Sequence, residues 1–249
     1  MSVEHLLNMP LLLLLFPIVA FLYASVGHGG ASGYLALMSA FAFPMTFMKP
    51  TALVLNILVS GLSFYFYYRE KNFKWHLFYP FALTSIPFSF LGGYLELDAF
   101  YYKIILATVL VFAVVRLLGV FGKEKENLKA INVPMALVFG AIIGFLSGLL
   151  GIGGGIILSP ILLLMGWATM KQTAAVSALF ILVNSISGLF GFLSQGGTLP
   201  TSSGVLIGLV FVGGLLGAYY GSTKFNSKGL RIVLSLVISI AIFKLYATA

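Results

Sequence analysis

The sequence predicts an all-α polytopic membrane protein. Of its 249 residues, 60% are hydrophobic and only 8% are charged, whereas a soluble domain carries about a quarter charged residues. Long apolar runs such as 104–115 and 232–243 show no alternation of polar and apolar positions, which argues against a β-barrel. Such a chain needs lipid as its solvent, and its length allows about 8 to 10 helical crossings.

Composition also excludes several classes of function. The net charge is +8, but the 14 basic residues are scattered over short connections and form no stripe, so they indicate membrane topology and no nucleic-acid partner. Cysteine is absent, which excludes disulfides and thiolate metal sites. We expect no metal and no cofactor.

An internal repeat organises the chain. The motif GHGG at 27–30 recurs as GIGG at 151–154, and MKPTA at 48–52 recurs as MKQTA at 170–174. Three further pairs follow in the same order: SGL at 60–62 and 187–189, LGGY at 91–94 and LGAY at 216–219, and KIIL at 103–106 and RIVL at 231–234. Five matches with similar offsets indicate a duplicated unit.

The repeat divides the chain into a first membrane repeat (1–122), a cytoplasmic linker (123–131) and a second membrane repeat (132–249). Each repeat is predicted to contain five apolar segments. They lie near 10–26, 30–43, 51–68, 77–95 and 100–118, and near 133–150, 155–167, 173–194, 203–221 and 230–247. The second segment of each repeat is too short for a full crossing, which takes about 20 residues. We expect it to form the second arm of a hairpin.

The charges predict that the two repeats have opposite orientations. Arg69, Lys71 and Lys74 follow the third segment of the first repeat, whereas the equivalent connection, 195–203, carries no charge. After the fourth segments the pattern reverses, with Lys224, Lys228 and Arg231 in the second repeat. Basic residues favour the cytoplasmic side of a membrane. Their positions therefore predict an inverted repeat in the inner membrane, with both termini outside.

The membrane interior is predicted to hold no carboxylate and no fixed cation, because all 20 charged residues can be placed in or near connections. Buried charges are costly in lipid and are retained where function needs them. A cation site built from carboxylates is therefore disfavoured.

Two glycine clusters are the main candidates for a binding site. Glycines allow tight turns that present successive N–H groups, and the helix that follows adds its positive end, so such a turn suits an anion. The candidate residues are Gly27, Gly29, Gly30, Gly151, Gly153, Gly154 and Gly155. The alternative is that these glycines only allow close helix packing, as expected for Gly140, Gly144 and Gly148.

Polar side chains near these clusters extend the candidate site. His28 is the ionisable side chain expected deepest in the membrane. It is either a ligand to the substrate or a hydrogen-bonded structural histidine. Ile152 takes its place in the second repeat, so a site would be asymmetric. On the third segments, polar faces should look inward, either toward substrate or toward neighbouring helices: Asn56, Ser60 and Ser63, and Thr173, Ser177 and Asn184.

A hydrolase is a weaker alternative. Gly30-Ala31-Ser32-Gly33 has the form Gly-x-Ser-Gly seen around the nucleophile of intramembrane serine proteases. That chemistry needs a general base held against Ser32, and His28 on the same turn region is the base expected nearby. The second glycine cluster would then have no role.

The turn at 151–155, followed by Ser159-Pro160 and by Lys171-Gln172-Thr173-Ala174, resembles the TauE/SafE sulfite exporter family. The likeness extends over both halves, although the first departs from the all-glycine form at His28, Ala31 and Ser32. The resemblance implies transport of sulfite, sulfonates or related organic anions across the cytoplasmic membrane, with both glycine turns lining the substrate path.

These observations favour a secondary transporter of a small anion that works by alternating access. Gly29, Gly30, Gly153 and Gly154 are expected to supply backbone donors. His28, Ser32, Asn56, Ser177 and Asn184 are expected to supply side-chain contacts. The expected partners are the anion and the lipid bilayer, and a coupling ion is left open. An anion channel is the alternative mode of transport.

Overall fold

The computed structural model describes residues 9–118, 128–200 and 203–223, together with 238–239, 242–243 and 245–247. Between residues 9 and 223 the described ranges form nine helices and no strand. The first half contains α1 (Pro10–Ala24), α2 (Ala31–Ala40), α3 (Met45–Arg69), α4 (Trp75–Tyr94) and α5 (Ala99–Leu117). The second half contains α6 (Val133–Leu150), α7 (Gly155–Met165), α8 (Met170–Ser194) and α9 (Ser203–Thr223). The all-α prediction is confirmed.

Helix lengths run in the same order in both halves. The second helices are short as predicted, with 10 residues in α2 and 11 in α7, and the third helices both have 25. The third helices begin earlier than predicted, at Met45 instead of 51 and at Met170 instead of 173. In α8 the reason is a capping box, in which the Thr169 side chain accepts from the Gln172 N–H and the Gln172 side chain accepts from the Thr169 N–H.

Four of the described helices are long and apolar enough to cross a membrane, by length and composition. They are α3, α6, α8 and residues Gly204–Thr223 of α9. The predicted tenth segment, 230–247, falls almost entirely outside the described residues. So do residues 123–127 of the predicted linker and both termini, and the inverted orientation of the repeats stays a prediction.

One helix of each half packs against helices of the other half. The first helix group consists of α1 and α3 with α9 from the second half, and the second helix group consists of α6 and α8 with α4 from the first half. The groups meet along the two long helices, α3 and α8, whose contact we call the seam. The short helices α2 and α7 pack on α3 and α8, respectively.

Glycines set the close helix packing inside both groups. A Cβ atom at Gly144 of α6 would collide with the backbone of Ser85 in α4, and Gly140 and Gly148 lie in the same way against Phe81 and Ser89. The predicted packing role of these three glycines is confirmed. In the other group, Gly213, Gly217 and Gly221 of α9 approach Pro17, Phe21 and Ser25. Small residues four apart let helix backbones approach closely, which drives association in lipid.

Candidate functional site

Two glycine turns meet at the middle of the seam. The first turn, Gly27–Gly30, joins α1 to α2, and the second turn, Gly151–Gly154, joins α6 to α7. The backbone is left-handed at Gly27, Gly30, Gly151, Gly153 and Gly154, with φ between 73° and 97°. Side-chain-bearing residues rarely adopt these angles, so the turns require glycine at these five positions.

Each turn also packs against the first turns of the opposite half's long helix. A Cβ at Gly27 would collide with Ala174 of α8, and one at Gly151 would come within 3.1 Å of the Lys49 carbonyl oxygen in α3. The two short helices begin directly after left-handed glycines, Gly30 and Gly154. The fold therefore holds the N-termini of α2 and α7 at the seam.

Asn56 of α3 ties the two turns together. Its Oδ1 accepts a hydrogen bond of 2.9 Å from the Ala31 N–H, the first residue of α2, and its Nδ2 donates to Ser185 Oγ at 3.3 Å. Its side chain lies so close to Gly29 and Gly153 that a Cβ at either would collide with it. Asn56 is fully buried. The predicted inward orientation of this side chain is confirmed.

Several backbone N–H groups of the glycine turns have no hydrogen-bond acceptor among the described residues. Among the described residues, no hydrogen-bond acceptor serves the N–H groups of Gly29, Gly30, Gly153 or Gly154. Buried N–H groups in proteins are normally paired, and orphaned ones call for an explanation. These four donors and the positive ends of α2 and α7 make the two turns electropositive without a fixed charge.

A small cavity, lined by buried residues, lies against the first turn and the start of α7. Its volume is about 10 Å³, the space of a single water molecule. One part of its wall is polar and comes from Tyr23, His28, Gly29, Gly30, Ala31 and Ser32; the other part is apolar and comes from Ile152, Ile156 and Ile181. A cavity of this size has no room for a polyatomic anion.

His28 links the first turn to the start of α7. Its Nδ1 lies 2.8 Å from the Val26 carbonyl oxygen, and its Nε2 lies 3.1 Å from the Gly155 carbonyl oxygen and 2.9 Å from Ser159 Oγ. Ser159 Oγ also lies 2.8 Å from Ser177 Oγ. His28 is therefore both buried and hydrogen-bonded to the opposite half. A ring N–H could reach a substrate only by exchanging one of these partners.

Ser32 is paired with a tyrosine. Its Oγ lies 2.6 Å from the Tyr23 hydroxyl, and both side chains are buried beside the cavity. The serine that contacts His28 is Ser159, inside α7, whose hydroxyl is within 2.8 Å of the Gly155 carbonyl oxygen. Among the described residues, Ser32 is thus bonded to Tyr23 and not to His28, the base that the hydrolase alternative would need.

The other predicted residues are all buried, but they lie at different places. Ser177 reaches His28 through Ser159, whereas Asn184 donates to the Phe180 carbonyl oxygen of its own helix and does not line the cavity. Sequence reasoning missed Tyr23, Ser159 and Ile181. Ser159-Pro160 entered only through the family resemblance, and nothing in the sequence marks an isoleucine of α8 as part of the cavity lining.

Lys49 corrects one expectation about the interior. No fixed cation was expected there, but the Lys49 side chain is 8% exposed and lies in α3. Its Nζ donates to the carbonyl oxygens of Gly93 at 3.0 Å and of Leu95 at 3.2 Å. The position near a connection concealed its burial, because the long side chain extends to the end of α4. The described carboxylates, Glu70, Glu96 and Asp98, are exposed as expected.

Comparisons with known proteins identify relatives of the chain. The chain is 35% identical to a probable membrane transporter protein of Sinorhizobium fredii, over 92% of this chain and 95% of the relative. It is 29% identical to a probable membrane transporter protein of Methanocaldococcus jannaschii, over 77% and 74% of the two chains. No solved structure matches. The sequence profile of the sulfite exporter TauE/SafE family matches residues 11–245. The chain therefore belongs to the TauE/SafE family of membrane transporters.

Proposed function

We propose that this protein is a secondary transporter of a small anion, which binds between the two glycine turns. The observation that carries the proposal is that four N–H groups without a hydrogen-bond partner among the described residues lie at the starts of α2 and α7, and two of them, those of Gly29 and Gly30, lie at a small buried cavity. Helix N-termini and left-handed glycine turns bind anions through such donors. Transporters with repeated halves commonly place their sites where interrupted helices meet.

The substrate class is an oxyanion of sulfur, with sulfite and simple sulfonates as the first candidates. Their several oxygen atoms can accept from several N–H groups at once, and the family is described as sulfite exporters. The exposed position of the described carboxylates leaves this region without a buried negative charge that would repel an anion. Ser32 and His28 would add side-chain donors on the first turn, and Asn56 would position Ala31.

Alternating access is the mechanism that fits a cavity too small for the substrate. With space for about one water molecule, the site binds no oxyanion until the first and second turns move apart. The two helix groups, which meet along the seam, would be the parts that move relative to each other. The protein would work in the cytoplasmic membrane with both termini outside.

Counterflow in proteoliposomes tests this proposal. Purified protein is reconstituted into vesicles loaded with unlabelled sulfite or methanesulfonate, and uptake of the labelled anion is followed. A carrier gives transient accumulation that depends on the internal anion, because exchange is faster than net flux. Uptake that is indifferent to internal anion would indicate a channel. No flux of any sulfur oxyanion above that of empty vesicles would contradict the proposed substrate class.

The hydrolase alternative has its own test. Ser32→Ala removes the only oxygen of that side chain and leaves the turn unchanged. Full retention of counterflow by this variant, with no hydrolytic activity lost, would remove the support for a serine nucleophile. Loss of flux together with weaker anion binding would instead place the Ser32 hydroxyl among the substrate contacts.

A further inference from the structure

Lys49 spans the boundary between the two helix groups. It belongs to α3 of the first helix group, but its Nζ donates to the carbonyl oxygens of Gly92, Gly93 and Leu95 at the end of α4, at 3.5, 3.0 and 3.2 Å. The Nζ also lies 5.7 Å from the ring centroid of Phe192 in α8. Both α4 and α8 are members of the second helix group.

The chemistry of this contact is favourable only while the groups stay together. The last carbonyl groups of a helix lack partners within it and carry the negative end of the helix dipole, so an ammonium group stabilises them. The aromatic ring of Phe192 adds a cation–π contact. If α3 moved away from α4, the buried ammonium group and the carbonyl groups would lose their partners together. A charge without a partner is costly in lipid.

Lys49 is also in direct contact with the second glycine turn. A Cβ atom at Gly151 would lie 3.1 Å from the Lys49 carbonyl oxygen and 3.4 Å from its Cγ. The next residue, Ile152, lines the small cavity. The same lysine therefore contacts the end of α4 and the turn that borders the cavity.

From these contacts we infer that Lys49 is a positioning residue that keeps the cavity small: its ammonium group holds α3 against the end of α4, and the cavity widens when this contact breaks. The inference depends on the proposed function only in treating the cavity as the substrate site. Its test needs no substrate, so its failure is distinguishable from failure of the proposed transport.

The chain offers a matched control in its own repeat. Lys171 occupies the place of Lys49 in the second MKxTA motif, and it is exposed. The same substitution, lysine to methionine, therefore removes one charge from the same motif in the two halves, at the fifth residue of α3 and at the second residue of α8. Methionine keeps most of the length of the side chain and removes the donors. Only at Lys49 does the change break a contact between the helix groups.

The readout is the labelling rate of a single cysteine by a membrane-permeant maleimide, because the natural chain has no cysteine. Ile152→Cys reports widening of the cavity, since Ile152 is 4% exposed and lines it. Ala218→Cys reports general loosening, since Ala218 in α9 is fully buried and lies away from the cavity lining. Each reporter is combined with Lys49→Met, Lys171→Met, Lys49→Arg and Lys49→Gln.

Lys49→Met should raise the labelling rate at Ile152→Cys on the order of tenfold, the effect of losing one charged hydrogen bond. Lys171→Met should leave the rate unchanged, and Lys49→Arg, which keeps charge and donors, should stay near the parent. The labelling rate of Lys49→Gln should lie between those of the parent and of Lys49→Met. This variant replaces Lys49→Met in the comparison if Lys49→Met does not fold. The inference is overturned if Ile152→Cys is labelled no faster with Lys49→Met or Lys49→Gln than with Lys171→Met. It is also overturned if these two variants raise the labelling rate at Ala218→Cys by the same factor as at Ile152→Cys.

Discussion

Asn56 and Ile181 occupy the same place in their helices and contact the same two glycines. Each lies 11 residues after the start of a 25-residue helix, Met45 for α3 and Met170 for α8. A Cβ atom at either Gly29 or Gly153 would come within 3.0 Å of both side chains. The two halves thus supply one polar and one apolar residue at equivalent positions, which makes the centre of the seam chemically asymmetric.

The close approach of α4 and α6 predicts a position-dependent effect of a single methyl group. Gly144→Ala places a Cβ atom against the Ser85 backbone, which cannot rotate away, so we expect a loss of about 1 to 3 kcal/mol in unfolding free energy. Gly208→Ala in α9 meets nothing within 4 Å among the described residues and should be neutral or slightly stabilising. Thermal unfolding in one detergent compares them. Equal midpoints would contradict the packing described for α4 and α6.

His28 and Ser159 should be energetically coupled across the two halves. Their Nε2 and Oγ atoms are 2.9 Å apart, and both side chains are buried. His28→Gln and Ser159→Ala should each destabilise the protein, while the double variant should lose less than the sum, by about 0.5 kcal/mol or more. Unfolding free energies of the four proteins give this coupling. Strict additivity would show that the contact contributes nothing.

The inverted repeat predicts opposite sides for two engineered cysteines. Thr198→Cys lies in the uncharged connection between α8 and α9, and Asn127→Cys lies in the predicted cytoplasmic linker. In intact cells, an impermeant maleimide should label the first from outside, while the second should be labelled only after the membrane is opened. Labelling of both from the same side would contradict the inverted orientation.

Sequence patterns were sufficient for the helical class, the short second helices and the location of the glycine turns. Those features are local, because apolar run length and glycine clusters can be read along the chain. The exchange of α4 and α9 between the groups could not be read in this way, since it depends on which small-residue faces meet in three dimensions.

Site partners were predictable only where a polar side chain marked them. Asn56 stood out in an apolar segment and does contact both turns. Asn184 stood out equally but bonds within its own helix, and Ile181 carries no polar signal at all. Lys49 lies five residues after the preceding connection, and its burial depends on the distant end of α4. Contacts between segments far apart in sequence decide these cases.

Anion titration by isothermal calorimetry tests the central claim most directly. The wild type, Asn56→Asp and Asn184→Asp are compared with sulfite and with methanesulfonate, after size-exclusion chromatography has shown that each is folded. Asn56→Asp keeps an acceptor for the Ala31 N–H but places a negative charge between the turns, so affinity should fall tenfold or more, roughly the cost of like-charge contact. Asn184→Asp, away from the cavity lining, should bind nearly as the wild type does. Absence of binding to the wild type, or equal affinities of Asn56→Asp and the wild type, would contradict an anion site between the glycine turns.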